Sequence, residues 1–305
     1  MASARQPILD QLPEGARVLV VRLRSLGDCV LTTPAIRLLN EARPDLRISV
    51  MVEPRFEEVF DGNPRLDAIL PPSYGAAFSA RPGLCLNLHG GTRSMLLTAA
   101  SLARHRAGFG HHKGAAIYTA PIPRAQEILG QERTVHTAEH LASAMFYLGV
   151  PQREIPRAEL FAPPAAFTGY AVIHPFSAAA YKTWPPERFV DVAHHIERTR
   201  RLEAVIIGSA ADDFGPFAEF RKVAGAPLKE VMTLISGAAL FAGNDSGPAH
   251  IAAAYDIPLL VLFGREEQVP IWRPWQARLT EVLSAPEGIG AVPVEAATAA
   301  LDRLR

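Results

Sequence analysis

The chain has 305 residues, of which 49% are hydrophobic, with 31 Lys and Arg against 31 Asp and Glu. At about 100–200 residues per domain this length predicts two domains, each large enough to bury its own core. A formal net charge of zero excludes a global field that would gather nucleic acid or an anionic membrane surface, so any such partner must be held by a local patch. Cys29 and Cys85 lie in apolar surroundings and follow no metal-ligand spacing, which argues against a disulfide framework or a zinc site and predicts buried thiols in a reducing compartment. Residues 1–15 contain no continuous apolar run, and the most apolar later stretch, Ile251 to Phe263, is interrupted by Asp256 and Pro258. The expectation is a soluble cytoplasmic protein without a membrane span.

In chain order, β-branched apolar runs alternate with stretches of helical periodicity, the pattern of βα units covering a parallel sheet. A strand over Arg17–Leu23 leads to a helix over Val30–Leu39, and a second strand is predicted over Arg47–Glu53. Leu84–Leu88 reads as a strand and is followed by helices over Thr92–Leu102 and Thr137–Leu148. The segment from Pro156 to Gly169 holds three prolines and no clear period, so it reads as a linker, with a boundary near Pro164 and domains over 1–164 and 165–305. The second half repeats the layout. Strands are predicted over Tyr170–His174, Glu203–Ile207, Ala238–Ala242 and Pro258–Phe263, and helices over Pro186–Glu197, Leu228–Ile235, Pro248–Ala254 and Val294–Leu304. Both halves read as doubly wound α/β domains.

Three strand-to-helix junctions carry polar residues that a scaffold alone does not need. The first strand ends in Arg24-Ser25-Leu26-Gly27-Asp28, at the edge of a parallel sheet where ligands of open α/β folds bind. Asp28 either caps the helix that follows or is left uncovered beside Gly27, whose lack of a side chain lets another molecule approach. Lys182 stands before Trp184-Pro185-Pro186, a stiff start to a helix, and so reads either as a solvated charge or as an ammonium aimed at phosphate. The block Gly243-Asn244-Asp245-Ser246-Gly247-Pro248-Ala249-His250 enters a helix whose free amides and dipole make an anion site. Its plainer reading is that Asp245 and Ser246 cap that helix.

Four segments, in order, resemble the bacterial heptosyltransferases, glycosyltransferase family 9. Val18-Leu19-Val20-Val21-Arg22 through Ser25-Leu26-Gly27-Asp28 and Pro34-Ala35 looks like that family's opening signature. Leu86-Asn87-Leu88-His89-Gly90 with Arg93-Ser94 resembles its mid-domain motif, Lys182-Thr183-Trp184-Pro185 its K-x-W-P loop, and Gly243 to His250 its most diagnostic block. The resemblance implies a GT-B fold, with two Rossmann-like domains facing across a cleft. It implies inverting transfer of heptose from ADP-heptose to a lipopolysaccharide inner-core acceptor, with no cofactor and no essential metal. By the same resemblance Asp28 is the general base, Lys182 neutralises donor phosphate and Asp245 holds sugar hydroxyls. Ser246, Gly247, His250 and Ser177 complete the donor site, and Asp212 lies near where an acid would meet the ribose. Gly27, Arg93 and Lys113 are the acceptor-side candidates. The implied partners are a nucleotide-sugar and an anionic glycan, with no nucleic acid and at most peripheral membrane contact. The alternatives are a related nucleotide-sugar transferase with another sugar or glycan acceptor, and a catalytically silent nucleotide-binding scaffold.

Some residues sit outside this pattern. Arg104, His105 and Arg106, then His111, His112 and Lys113, form a basic stretch that is read as a solvated face unless it turns toward the acceptor. Phe176 stands where the family commonly has glycine after His-Pro, and Ala226-Pro227-Leu228 falls where a wall of the adenine pocket is expected. Trp272 and Trp275 are read as packing, the commoner role of tryptophan in such a segment.

Overall fold

A computed structural model describes residues 6–112 and 114–304. The chain forms two compact units that divide between Phe161 and Ala162. In the first unit the strands are β1 (Arg17–Val21), β2 (Arg47–Met51), β3 (Ala68–Leu70), β4 (Leu84–Asn87), β5 (His105–Phe109) and β6 (Ala120–Ile122). They pair in parallel in the order β3-β2-β1-β4-β5-β6. The second unit has β7 (Tyr170–His174), β8 (Glu203–Gly208), β9 (Arg221–Ala224), β10 (Leu240–Asn244), β11 (Leu259–Leu262) and β12 (Thr280–Leu283). These are parallel too, in the order β12-β11-β10-β7-β8-β9. Counted from its own first strand, each unit has the doubly wound Rossmann order 3-2-1-4-5-6, as expected.

All-parallel sheets are covered on both faces, so their central strands are apolar throughout. β4, β10 and β11 are buried at every position, and β1 and β7 at all but one end residue. In the second unit, Phe189, Val192 and Ile196 of the helix Pro186–Arg200 pack with Trp184 against Ile173, Ile206 and Leu260, and the C-terminal helix Val294–Arg303 adds Ala297, Ala300 and Leu301. Truncating Phe189 to alanine in such a core costs about 3–5 kcal/mol. Cys29 and Cys85 are buried, and burial pushes their thiols up to about 12 and about 11.

The structure departs from the sequence reading in the outer strands. β3, β5, β6, β9 and β12 were not anticipated, because most are three or four residues long and β5 opens on His105 and Arg106, which interrupt the apolar pattern. The strand predicted over Ala238–Ala242 lies two residues later. The Ala238 amide still bonds back to Ile235 at the end of the preceding helix, whereas Gly243 and Asn244 pair with His174 and Leu262. The linker has no regular structure, and its first part is tied down. Glu159 accepts from Arg37 and Arg65, at 2.5 Å each, and its amide donates to Thr33 Oγ1 at 3.0 Å. No described helix is long and apolar enough to cross a membrane.

Candidate active site

A sheet of order 3-2-1-4-5-6 reverses direction between its first and fourth strands, and that switch point opens a crevice at the carboxyl ends. In the first unit the crevice lies after β1 and β4, and it collects polar side chains. The helix that follows β1 spans Leu26–Ala42, four residues earlier than predicted, because Ser25 and Asp28 make a capping box ahead of the apolar periodicity. Asp28 is therefore not the N-cap but the third residue of the helix. Its Oδ2 accepts from the Ser25 amide at 3.3 Å and from Ser25 Oγ at 3.0 Å, while its Oδ1 accepts from Arg22 Nη1 at 3.1 Å. The Asp28 side chain keeps 22% of its surface exposed, against 5% for Arg22. Capping and exposure thus coexist at this carboxylate. Gly27 is buried in the first helical turn.

Arg22 was not singled out beforehand, yet it organises this corner. Its Nη2 donates to the Leu88 carbonyl at the end of β4, and its Nε is buried without a partner. Burial lowers the guanidinium's affinity for its proton, and Asp28 offsets part of the loss. A buried arginine that loses its carboxylate would be an uncompensated charge, so the two side chains hold each other in place.

The mid-domain motif shapes the opposite lip. Asn87 Oδ1 accepts the amides of His89 and Gly90 at 3.0 and 3.1 Å, and Asn87 Nδ2 donates to Ser94 Oγ and Tyr118 Oη. Asn87 and Ser94 thereby hold a turn at which Gly90 has φ of 71°, and the His112 ring lies where a Gly90 side chain would be. His89 Nδ1 donates to the Arg24 carbonyl at 3.1 Å, which in the neutral ring leaves Nε2 as the acceptor nitrogen. Desolvation, aided by Arg22, lowers the His89 pKa. Near it, the His111 and His112 rings lie 4.3 Å apart, and His140 stacks on Phe109 at 3.8 Å. Desolvation brings His140 down to about 4.

The basic stretch is split by its strand. Arg104, His105 and Arg106 lie at the start of β5, and the Arg106 side chain is held by the carbonyls of Ile117 and Ala103. His111 and His112 follow the strand's end, on the edge that bears Asp28. Arg93 also stands at that edge, exposed, bonded to Glu53 and to the Pro72 carbonyl. Lys113 lies outside the described residues.

In the second unit the switch point falls between β7 and β10, and again buried polar groups join the two strand ends. Asn244, the last residue of β10, donates to the Pro175 carbonyl at 2.7 Å and accepts from the Trp184 amide at 3.2 Å. Trp184 is fully buried and its Nε1 donates to the Val292 carbonyl at 3.0 Å. The loop before it is thus fixed at its far end, and Lys182 is aimed. Lys182 Nζ meets Asp245 Oδ2 at 2.6 Å, with side chains 23% and 6% exposed. Next to this pair, Ser246 stands at the N-cap position of the helix Gly247–Ala254 but makes no side-chain capping bond; its Oγ lies instead 2.9 Å from His174 Nδ1. Desolvation holds His174 at about 4, against the opposing pull of Asp212. Pro248 falls in the first turn, where its missing amide costs nothing.

The remaining donor-side candidates lie on the same edge. Asp212, in the loop after β8, accepts from the Ser209 amide at 2.6 Å, and Ser177 is partly exposed in the loop after β7. His250 is buried, with the Trp272 ring 6.2 Å away and tilted by 64°. Trp272, read from sequence as packing, therefore borders the diagnostic block. Phe176 fits because Gly208 makes room for it: a side-chain carbon on Gly208 would fall 2.6 Å from the Phe176 ring, which also meets Phe214 at 5.0 Å. Residues missed from sequence, Arg22, His174 and Asn244, share one signal: a polar side chain at the end of a buried apolar strand.

Comparison with known proteins bears on this arrangement. The model of glycosyltransferase family 9 (heptosyltransferase) matches residues 83–292, a span that includes the loops of Asn87, Lys182 and Asp245 and begins after that of Asp28. Lipopolysaccharide heptosyltransferase 3 of Escherichia coli strain K12 is 26% identical over 298 residues, covering 85% of each chain. Among solved structures, a family 9 glycosyl transferase from Veillonella parvula is 20% identical with a TM-score of 0.80, covering 95% of this chain and 97% of that one. The ADP-heptose lipopolysaccharide heptosyltransferase II of E. coli is 18% identical with a TM-score of 0.79, covering 94% and 98%. The fold is the GT-B fold of these heptosyltransferases.

Proposed function

The chain belongs to glycosyltransferase family 9, the heptosyltransferases, and from that premise we propose that it moves a heptose from ADP-heptose to a lipopolysaccharide inner-core acceptor with inversion, using Asp28 as general base. In the proposed displacement the acceptor hydroxyl gives its proton to the Asp28 carboxylate as its oxygen attacks the anomeric carbon. The carbon–oxygen bond to the diphosphate breaks on the opposite face, and ADP leaves with the bonding pair. Positioned proton transfer of this kind contributes about 10²–10⁴-fold. The leaving diphosphate needs positive charge, and Lys182 with the amides at the start of Gly247–Ala254 supplies it without a metal. The observation that carries the reading is the Lys182–Asp245 pair beside that helix start.

In the donor's absence Lys182 neutralises Asp245. With diphosphate bound, Lys182 shares its charge with the phosphates, and Asp245 turns its acceptor oxygens to sugar hydroxyls. Ser246, Gly247, His250, Ser177 and Asp212 are proposed to line the donor, and Gly27, Arg93 and Lys113 the acceptor. The assay is direct: the purified protein, ADP-heptose and lipopolysaccharide inner-core acceptors with and without heptose should yield free ADP and a heptosylated product of inverted configuration at the anomeric carbon. Release of ADP from no donor, or retention of configuration, would refute the proposal. A purely scaffolding role predicts no turnover at all.

A further inference from the structure

We propose that the first unit docks on an anionic lipid surface through the paired helices Tyr74–Ala80 and Thr92–Ala100. Residues 68–126 contain no Asp or Glu, although at the chain's own frequency a stretch of that length would hold about six. The same stretch carries six Lys and Arg. Within a chain of zero net charge this stretch is thus net positive; Glu53, from outside it, pairs with Arg93, and its exposed cations away from that pair include Arg81 and Arg104.

The two helices that lie in this stretch pack together through small residues. Ala76, Ala77 and Ala80 of the first share a cluster with Leu97 and Ala100 of the second. Larger apolar side chains point outward: Tyr74 is 57% exposed, Phe78 53%, Leu96 49% and, just past the second helix, Leu102 68%. Tyr74 and Phe78 are four residues apart and so share one helical face. These four are nearly half of the nine large apolar side chains that stand exposed among the described residues.

The cations frame this apolar surface. Each helix crosses from the carboxyl ends of the strands to their amino ends, so Tyr74 and Arg93 lie toward the edge that bears Asp28, while Arg81, Leu102 and Arg104 lie toward the other. Arg81 and Arg104 are exposed. Aromatic and aliphatic groups ringed by arginine suit the boundary between acyl chains and anionic headgroups, where long basic side chains keep their charge in water. A second copy meeting this surface about a two-fold axis would set arginine against arginine, which disfavours self-association here. No described helix spans a membrane, so the contact is peripheral.

Vesicle flotation tests this without any sugar substrate, so its outcome is independent of the transfer reaction. The probes are vesicles of phosphatidylcholine alone and of phosphatidylcholine mixed with phosphatidylglycerol. The wild-type protein should float with the anionic vesicles, less so as salt rises, and stay behind with the neutral ones. At about fivefold per basic residue near such a surface, the double variant Arg81→Ser/Arg104→Ser should lose about 25-fold in partitioning. Phe78→Glu should abolish flotation, with an unchanged circular dichroism melt to show that it folds. Equal flotation with both vesicle types, or flotation of Phe78→Glu at the wild-type level, would overturn the proposal. So would a lipid-free dimer in analytical ultracentrifugation that Phe78→Glu converts to monomer, since the face would then belong to a second copy.

Discussion

Asp28→Asn separates capping from catalysis, because the structure predicts a different magnitude for each. The carboxylate accepts on both oxygens, from Arg22 on Oδ1 and from Ser25 on Oδ2. Asparagine has one acceptor oxygen, so it can serve only one side and must turn its NH2 group to the other donor. A hydrogen bond to a charged group contributes about 1.5–3 kcal/mol, and removing the carboxylate charge weakens the bond to buried Arg22 even where the amide oxygen stays on it. We therefore expect a stability loss of about 2 kcal/mol, seen as a Tm lower by about 4–8 °C. Turnover, measured below that Tm as ADP release in a single-turnover assay, should fall by about 10²–10⁴-fold. Calorimetric affinity for ADP-heptose should be unchanged, because every residue assigned to the donor lies in the other unit. The comparison variant Arg22→Met keeps the carboxylate while removing its partner, and should destabilise the unit more than it slows turnover. A lower Tm with turnover within about tenfold of wild type would show that Asp28 is a cap and not the base.

Three further outcomes follow from the second unit and the buried histidines. Lys182→Ala leaves the buried Asp245 carboxylate uncompensated and should cost about 2–3 kcal/mol in denaturant unfolding, along with weaker donor binding; adding Asp245→Asn should restore stability but not activity. Asn244→Ala strands the Trp184 amide and the Pro175 carbonyl, so we expect a loss of about 3 kcal/mol and a raised KM for the donor as the Lys182 loop loosens. His140 and His174 are each depressed from 6.5 to about 4, so the unfolded chain takes up protons that the fold refuses. Their contribution to stability is complete above about pH 6.5 and is lost as the pH falls toward about 4, which urea midpoints at about pH 7 and about pH 5 will measure. His140→Phe keeps the ring on Phe109 and should flatten part of that drop.

How much was legible beforehand differs from element to element. β7 and the helix Thr137–Leu148 fall where periodicity puts them, because each is a run of adjacent residues with one dominant pattern. β5 was hidden because His105 and Arg106 open it, and its pairing with β4 rather than its composition makes it a strand. That hidden strand also divided the basic stretch: Arg104 to Arg106 start it, whereas His111 and His112 follow its end. For Asp28, neighbouring residues held both readings, the cap and the uncovered acid, and the fold keeps both by adding Arg22.

Adjacent residues encode hydrophobic period, turn chemistry and motif wording, so the doubly wound α/β class of each half, its central strands, the strand-to-helix loops and the family were determined by the sequence itself, whereas the outer strands were not. Which polar atoms meet was decided by tertiary structure alone. Lys182 and Asp245 are 63 residues apart, as the Arg22 guanidinium and the Leu88 carbonyl are 66 apart, and each pair is joined only because strand order and register bring two loops to one switch point. The side chains that will handle charge are written locally, but their partners are chosen by long-range pairing, which no local pattern can specify.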